Sequence, residues 1–154
     1  MRSQATVLLY DHELRVGNYS GAFLLSGLAV RMAQALQINL EYSPDILCTE
    51  NTSGPSASAK ESRRRLMWSC YIMDSWVGSG VDQLTLINAK DLQIQLPCDD
   101  QSFLLQIPRI TEMMEPGRVL NLIPAALRPH CPAENLGMMA YFVRIVELRK
   151  RVLR

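Results

Sequence analysis

Four cysteines are the residues of this sequence best suited to metal or redox chemistry. They stand at Cys48, Cys70, Cys98 and Cys131, with no C-x-x-C pair and no histidine pair nearby. A zinc site needs several thiolates held close together, and this spacing does not supply them locally. We therefore predict isolated, reduced thiols and no metal or cofactor in this chain. Cys70 lies in an apolar run and is expected to pack as a small hydrophobic residue.

Asp74 is the polar residue with the most informative surroundings, because it directly follows the apolar run MWSCYIM. A carboxylate buried there must be paired or hydrogen-bonded. No carboxylate or histidine stands at a matching spacing that would make it a catalytic acid. We predict that it accepts hydrogen bonds from the turn at Gly78–Gly80 or from Arg31. Asp74→Ala is then expected to unfold or aggregate the chain, whereas Asp99→Ala, in a turn predicted to be exposed, should do little.

Three consecutive arginines, Arg63, Arg64 and Arg65, stand near the start of a predicted helix. Cations there are disfavoured by the helix dipole, so something should compensate them. Glu61 precedes Arg64 by three residues and Arg65 by four, which places acid and base on one helix face. A nucleic-acid patch is disfavoured, since only three cations cluster without an aromatic platform. Two interpretations stay open: a solvated charged turn, or arginines that pair with acids on other helices.

The remaining candidate residues favour structural roles over catalysis. His12 lies between two acids without a nucleophile, which is typical of a solvated helix residue. Trp68 and Trp76 could form a ligand-stacking pair, but core packing is several times more common for such residues. The sequence has no glycine-rich phosphate loop, nucleophile elbow or metal triad. We therefore predict no catalytic, cofactor-binding or metal-binding residues and no enzyme activity, and the ligand-binding residues stay unassigned.

Composition points to one domain without a strong affinity for nucleic acid or membranes. The 154 residues suit a single domain. Sixteen basic and fifteen acidic residues leave a formal charge of +1, too small to attract DNA phosphates or anionic lipid strongly. No apolar run is long enough to cross a membrane, and the N-terminus does not read as a signal peptide.

Apolar residues at three- and four-residue steps predict helices over residues 5–16, 20–38, 59–77 and 132–154. The third is apolar on most sides, as is typical of a central helix. The second carries one apolar stripe, which comprises Leu25, Leu28, Ala29, Met32, Ala33 and Leu36. Small residues within that stripe should let a neighbouring helix approach closely.

Three segments between the predicted helices have a different character. Residues 43–59 are rich in Ser, Thr, Asn, Pro and Gly, which favours a flexible internal loop. Residues 78–100 contain apolar residues at 92, 94 and 96 in alternation with glutamines, which predicts an extended segment lying across the helices. Prolines punctuate the stretch beyond it, where short helical turns are expected at 110–115 and 118–127.

Three blocks of the sequence, in order, resemble a known family. They are GLAVRMAQALQINLE (27–41), ESRRRLMWSCYIMDS (61–75) and INAKDLQIQLPCDDQSF (87–103). Together they are similar to the middle regulatory domain of fungal transcription factors that bear a binuclear zinc cluster. The flanking segments at 8–25 and 141–154 fit the helices on either side, so the resemblance covers nearly the whole chain.

The resemblance implies an all-α fold, an irregular multi-helix bundle with a long loop and one extended segment, truncated at both ends. Residues 1–154 would form one partial regulatory domain, and the zinc-cluster DNA-binding domain would be absent. The parent protein would be nuclear and would hold zinc and bind DNA through that missing N-terminal cluster. It would control transcription by RNA polymerase II, with a protein partner, a small effector or a second copy of itself as binding partners. The alternative is a helical protein-interaction module unrelated to transcription.

Overall fold

The computed structural model describes residues 2–41, 56–78, 81 and 84–153, with side chains from residue 4 onward. The described α-helices are α1 (Arg2–Arg15), α2 (Tyr19–Ala35), α3 (Ala57–Val77), α4 (Asp100–Leu104) and α5 (Met138–Val152). Among the described residues, 3-10 helices span Ala89–Asp91, Ala125–Leu127 and Pro132–Asn135. Within these ranges β pairing is limited to two isolated bridges, Leu40 with Gln93 and Cys98 with Leu136. The all-α class predicted from the sequence is confirmed.

The first two helices form a hairpin around the glycine predicted to end α1. Gly17 adopts a φ of +80°, a conformation that residues with a Cβ rarely reach. The side chain of Asn18 then caps α2 by accepting a hydrogen bond from the amide of Gly21 at 3.1 Å. The sequence therefore contains both the stop signal of one helix and the start signal of the next.

The buried face of α2 differs from the predicted stripe. Ala29 and Ala33 are fully buried, as their small size suggested, but Leu28 and Leu36 are exposed. The buried residues of this helix are Ala22, Ser26, Ala29, Val30 and Ala33. Small residues on this face let α2 lie close against α1 and α3. Leu28 and Leu36 are consequently directed outward, and the predicted stripe was wrong at these two positions.

Helix α3 is the central helix of the fold, as its apolar character predicted. Ser56 caps its start by accepting a hydrogen bond from the amide of Ala59 at 3.3 Å. Every residue of α3 is described, and only Trp76 is exposed. The rings of Trp68 and Tyr71, both fully buried, meet edge to face with centroids 5.6 Å apart. α3 contacts α1, α2, α4 and α5, which explains why it is apolar on most sides.

The segment that follows α3 crosses the helices in an extended conformation, as predicted. Leu92, Ile94 and Leu96 alternate into the core and are 5%, 1% and 0% exposed. The indole nitrogen of Trp68 donates a hydrogen bond to the carbonyl oxygen of Gln95 at 2.8 Å. A buried backbone polar group is thereby satisfied without a sheet.

The predicted boundaries in the second half of the chain needed correction. Residues 110–115 form no helix, and of 118–127 only Ala125–Leu127 does. The predicted final helix is divided into a 3-10 turn and α5, because the chain at Gly137 lies against the backbone of Cys98. A Cβ added at Gly137 would lie 2.3 Å from the carbonyl oxygen of Cys98.

The loop predicted over residues 43–59 is described only in part. Residues 43–55 lie outside the described residues, and 57–59 belong to α3.

Helix α5 has two apolar faces. One buries Ala140, Val143 and Val146 against the core. The other is exposed and repeats at seven-residue spacing; its members are Met138, Tyr141, Ile145, Leu148 and Val152. In the described part of the chain, no helix combines the length and apolarity that a membrane span requires.

Candidate functional site

The start of α3 carries the largest group of buried charges in the described part of the chain. Glu61 and Arg64 are 3% and 8% exposed. Lys60 is also buried, and Arg65 is partly buried. Because α3 is central, its first two turns are enclosed by neighbouring segments. Arg64 and Arg65 therefore do not form the solvated turn that the sequence left open. Arg64 pairs with Glu41 and Arg65 with Asp100, both of which are acids outside α3.

Glu61 and Arg65 together hold the backbone N–H and C=O of one residue of the extended segment. The carboxylate of Glu61 accepts a hydrogen bond from the amide of Cys98 at 3.0 Å. The guanidinium of Arg65 donates to the carbonyl oxygen of the same residue, also at 3.0 Å. Arg65 and Glu61 pair with each other at 3.1 Å, so the two side chains act on Cys98 as a unit. This arrangement gives an unpaired stretch of backbone the partners that a strand would otherwise provide.

The outer face of Arg65 is held by α4. Its guanidinium pairs with the carboxylate of Asp100 at 2.8 Å. It also lies over the ring of Phe103, 4.4 Å from the centroid. The start of α3 and the short helix α4 are therefore linked by one arginine.

Arg64 joins three segments that are far apart in the sequence. Its Nε and Nη2 donate to the two carboxylate oxygens of Glu41, just beyond α2. Its Nη1 donates to Glu61 at 3.3 Å. Glu41 also accepts a hydrogen bond at 2.8 Å from the side-chain amide of Gln95, which is fully buried. The other end of that amide accepts from the backbone of Thr111 at 2.7 Å. We call Glu41, Glu61, Arg64, Arg65 and Gln95 the charge network.

Pairing with acids keeps both arginines of the charge network ionised despite their burial. Burial by itself lowers the pKa of Arg64, but the charges and hydrogen bonds of Glu41 and Glu61 outweigh it, and the net pKa is raised. The pKa of Arg65 is raised in the same way: its burial opposes the shift, and hydrogen bonds to Asp100 and Glu61 dominate. Both arginines therefore stay charged.

A second buried pair fastens α5 to the segment after α4. Arg144 contacts the carboxylate of Glu112, which is 4% exposed, and also donates to the carbonyl oxygens of Met113 and Met114. The backbone of Glu112 in turn accepts a hydrogen bond from the amide of Leu96 at 2.7 Å. This pair therefore connects α5 to the same extended segment that the charge network holds.

Asp74, near the other end of α3, is buried and satisfied by backbone amides. Its carboxylate accepts hydrogen bonds at 2.8 Å from both Leu86 and Ile87. The predicted partner Arg31 was wrong, because it is exposed and bonded to Gln34. The other predicted partner, the turn at Gly78–Gly80, lies partly outside the described residues. The reason is that the chain after α3 returns over the carboxylate. Burial raises the pKa of Asp74 even though these amides, and the charge of Lys150, oppose the shift.

A cavity of about 230 Å³ adjoins the charge network. The start of α3 forms one wall, α4 another, and residues 106–110 with Leu127 complete the lining. The polar lining side chains include Glu61, Arg64, Ser102 and Arg109. The larger part of the lining is apolar.

The three described cysteines form no disulfide. Cys70 and Cys98 are buried, and Cys131 is exposed, while Cys48 lies outside the described residues. Cys70 packs in the core as predicted. Burial raises the pKa of Cys70 and of Cys98 to about 12. No group of three His, Cys, Asp or Glu side chains in the described ranges could hold a metal ion.

The two tryptophans do not form a stacking pair. Trp68 belongs to the core, whereas Trp76 is exposed, with the guanidinium of Arg149 4.4 Å from its ring centroid. Sequence reasoning found Glu61, the arginines and Asp74 but missed the importance of Glu41 and Gln95. No local pattern marks them, because the residues that Glu41 contacts lie 23 and 54 positions away.

Comparisons with known proteins identify the family. The family model described as "Fungal specific transcription factor domain" matches residues 2–111. An uncharacterized transcriptional regulatory protein of Schizosaccharomyces pombe is 35% identical over 153 residues, covering 97% of this chain and 16% of that protein. A Zn(2)-C6 fungal-type transcription factor of Fusarium oxysporum f. sp. lycopersici is 34% identical over 158 residues, covering 95% of this chain and 16% of that protein. No solved structure matches the chain.

The chain belongs to the fungal specific transcription factor domain family, and its functional class is transcription regulation. It spans about a sixth of the length of these curated relatives. The family model ends before α5, but the alignments with both relatives cover almost the whole chain. The pair of Arg144 with Glu112 therefore lies in the part that the relatives share and the family model leaves out.

Proposed function

We propose that this chain is a regulatory and scaffolding domain that controls DNA-templated transcription by RNA polymerase II. The protein would act in the nucleus and contact DNA through a binuclear zinc cluster supplied elsewhere in the parent protein. The domain itself would work without catalysis, by presenting a protein surface or by binding a small effector. The names of the Fusarium relatives, Zn(2)-C6 fungal-type transcription factors, support the part of this proposal that concerns zinc and DNA.

The observation that carries the proposal is the origin of the charge network. The three sequence blocks that resemble the family each contribute to it: Glu41 ends the first, Arg64 lies in the second, and Gln95 lies in the third. These blocks therefore meet at one buried site that fixes the relative positions of α2, α3 and the extended segment. A buried site that joins the segments carrying the resemblance is what a scaffold requires.

The outer face of α5 supports a protein partner. Five of the six exposed apolar residues of α5 recur at the spacing that helices use to pack against one another. Exposed apolar rows of this kind are typical of surfaces that contact another protein. A protein partner is thus as consistent with the fold as a small effector is.

A reporter assay tests the proposed function. Residues 1–154 would be fused between a heterologous DNA-binding domain and an activation domain in a fungal host. We expect the transcript of a reporter gene, and the RNA polymerase II bound to it, to change relative to the fusion without the domain. Arg64→Ala, which disrupts the charge network, should abolish the change. Asp11→Ala, which removes an exposed ion pair with Arg15, should preserve it.

Equal transcript from fusions with and without the domain, at equal protein levels, would contradict the proposal. It would favour the alternative, an interaction module unrelated to transcription.

Metal and DNA assays on the purified chain test whether zinc and DNA are bound by another part of the parent protein. We expect no stoichiometric zinc and only weak, salt-sensitive DNA binding by this chain. A sequence-specific complex with DNA at physiological salt would show that this chain itself recognises DNA.

A further inference from the structure

The cavity beside the charge network has a polar end and an apolar end. At the polar end lie the buried carboxylate and guanidinium of Glu61 and Arg64, which are already paired with each other. Arg109 lies at the rim, on the segment that follows α4. The apolar end is formed by Phe103, Ile107, Pro108, Ile110 and Leu127. Such a division suits a ligand with one polar group and an apolar body.

Arg109 is the group at this site with unused binding capacity. Its Nε donates to the hydroxyl of Ser102 at 3.0 Å, and Ser102 is itself buried. The backbone of Arg109 is fixed as well, because its carbonyl oxygen accepts from Arg64. The two terminal nitrogens of the Arg109 guanidinium make no hydrogen bond to the described residues. A positioned guanidinium with both terminal nitrogens available matches the two oxygens of a carboxylate.

The surrounding backbone adds to the preference for an anion. The cavity is also lined by Ala57 and Ser58, in the first turn of α3. That turn contains no acidic side chain. The positive end of a long helix dipole therefore faces the same space as Arg109.

The size of the cavity limits the ligand. An apolar cavity of about 150 Å³ holds a benzene molecule. The cavity here, at about 230 Å³, accommodates on the order of ten non-hydrogen atoms by the same scale. Ile107 and Leu127 are 40% and 51% exposed at its walls, so a bound apolar chain would remove them from water.

We propose that this cavity binds a small organic monocarboxylate, with its carboxylate on Arg109 and its hydrocarbon body against Phe103, Ile107 and Leu127. A phosphate group fits less well, because the apolar lining offers it nothing and a doubly charged anion would call for further cations. The binding itself is a property of the fold. That the ligand acts as an effector of transcription rests on the proposed function.

Titrations of the purified 154-residue chain with hexanoate test the proposal. Binding would be measured by calorimetry and located by amide chemical shifts in NMR spectra. We expect shifts concentrated at residues 57–64 and 102–110. Hexanol, which has the same hydrocarbon chain without the charge, should bind roughly tenfold more weakly or worse. Acetate, which keeps the charge without the chain, should also bind more weakly than hexanoate.

Two variants and a control assign the recognition to residues. Arg109→Gln should weaken hexanoate binding by roughly tenfold and leave hexanol unchanged. Ile107→Ser should weaken hexanoate and leave acetate unchanged. The control Arg31→Gln removes an exposed arginine on α2 and should alter neither. Circular dichroism would establish that each variant is folded.

Three results would overturn the proposal: no hexanoate binding, equal binding of hexanoate and hexanol, or inorganic phosphate that binds more tightly than hexanoate. These results are independent of the reporter assay. If hexanoate binds but the domain leaves the reporter transcript unchanged, the proposed function fails and the binding site stands. If the reporter responds but hexanoate does not bind, the binding proposal alone fails.

Discussion

The two ends of α3 both bury carboxylates but satisfy them differently. At the start, Glu61 is paired with two arginines, and one of these also holds Glu41. Toward the end, Asp74 has backbone amides as its hydrogen-bond donors and is bonded to no arginine among the described residues. Pairing between side chains joins segments that are distant in sequence. The backbone amides that Asp74 binds belong to Leu86 and Ile87, so this carboxylate holds a segment that lies beyond the end of the helix.

The difference affects the cost of disrupting each end. Removing one member of a buried ion pair leaves its partner charged and buried, which is more costly than losing neutral hydrogen bonds. The two ends of α3 should also differ in how their stability depends on pH. Burial raises the pKa of Asp74, whereas pairing keeps Arg64 and Arg65 ionised.

The largest loss of stability is expected for Arg64→Ala. It removes the paired guanidinium from Glu41 and one of the two arginines from Glu61, and breaking a buried ion pair costs about 3–5 kcal/mol. Since whole domains are stable by only about 5–15 kcal/mol, this variant should be largely unfolded. Urea denaturation followed by circular dichroism would measure it. Arg64→Lys keeps the charge without the planar fork and should recover only part of the loss. A shift as small as that of Asp11→Ala would show that the network is not structural.

A smaller loss is expected for Asp74→Ala, because the amides of Leu86 and Ile87 lose their acceptor. Unsatisfied neutral donors cost about 1–3 kcal/mol. The same denaturation experiment compares this variant with Arg64→Ala. A larger loss at Asp74 than at Arg64 would reverse the comparison between the two ends of α3.

The pH dependence of Asp74 gives an independent test. Its folded pKa lies above the unfolded value, so its favourable contribution is present below the unfolded pKa and is lost as the pH rises through the folded pKa. The stability of the wild type relative to Asp74→Asn should therefore fall as the pH rises through the acidic range. A constant difference between the two proteins across that range would show that Asp74 is not buried as a carboxylate.

Asp99→Ala should cost about 1 kcal/mol, through loss of a helix cap. The side chain of Asp99 accepts a hydrogen bond from the amide of Ser102 at 2.8 Å and begins α4. The sequence predicted almost no effect, because an exposed turn gave no sign of the cap. Hydrogen bonds with Ser102 lower the pKa of Asp99. Its contribution is thus present above the unfolded pKa and lost as the pH falls through the folded value, opposite in sign to Asp74.

The last comparison uses thiol labelling of the native chain, in which we expect almost no reaction of the two buried cysteines. Cys70 is one turn before Asp74, and Cys98 is held by Glu61, so each thiol reports on one end of α3. Burial raises the pKa of both to about 12, and neither should react with iodoacetamide at pH 8 while the exposed Cys131 does. Mass spectrometry would read the labelling. In Arg64→Lys, Cys98 should be labelled faster than Cys70. Faster labelling of Cys70 would show that the end of α3 near Asp74 is the less stable end.

Local sequence patterns determined the helices and the order of the chain. Helical periodicity predicted α1, α2 and α3 to within a few residues, because each helix satisfies its own backbone and needs only one apolar face. Alternation at residues 92–96 correctly predicted an extended segment. The resemblance to the family rested on the same segments, and the comparisons confirmed it.

Only the tertiary structure decided which polar groups meet. Glu41, Arg64 and Gln95 come from three separate segments, and no local period encodes their contact. The rotation of α2 that exposes Leu28 likewise depends on how closely its alanines approach α1 and α3. The cavity at Arg109 follows from the same cause. Its walls come from residues up to 70 positions apart, Ala57 and Leu127. The cavity forms only when these segments pack together, so neither segment predicts it alone.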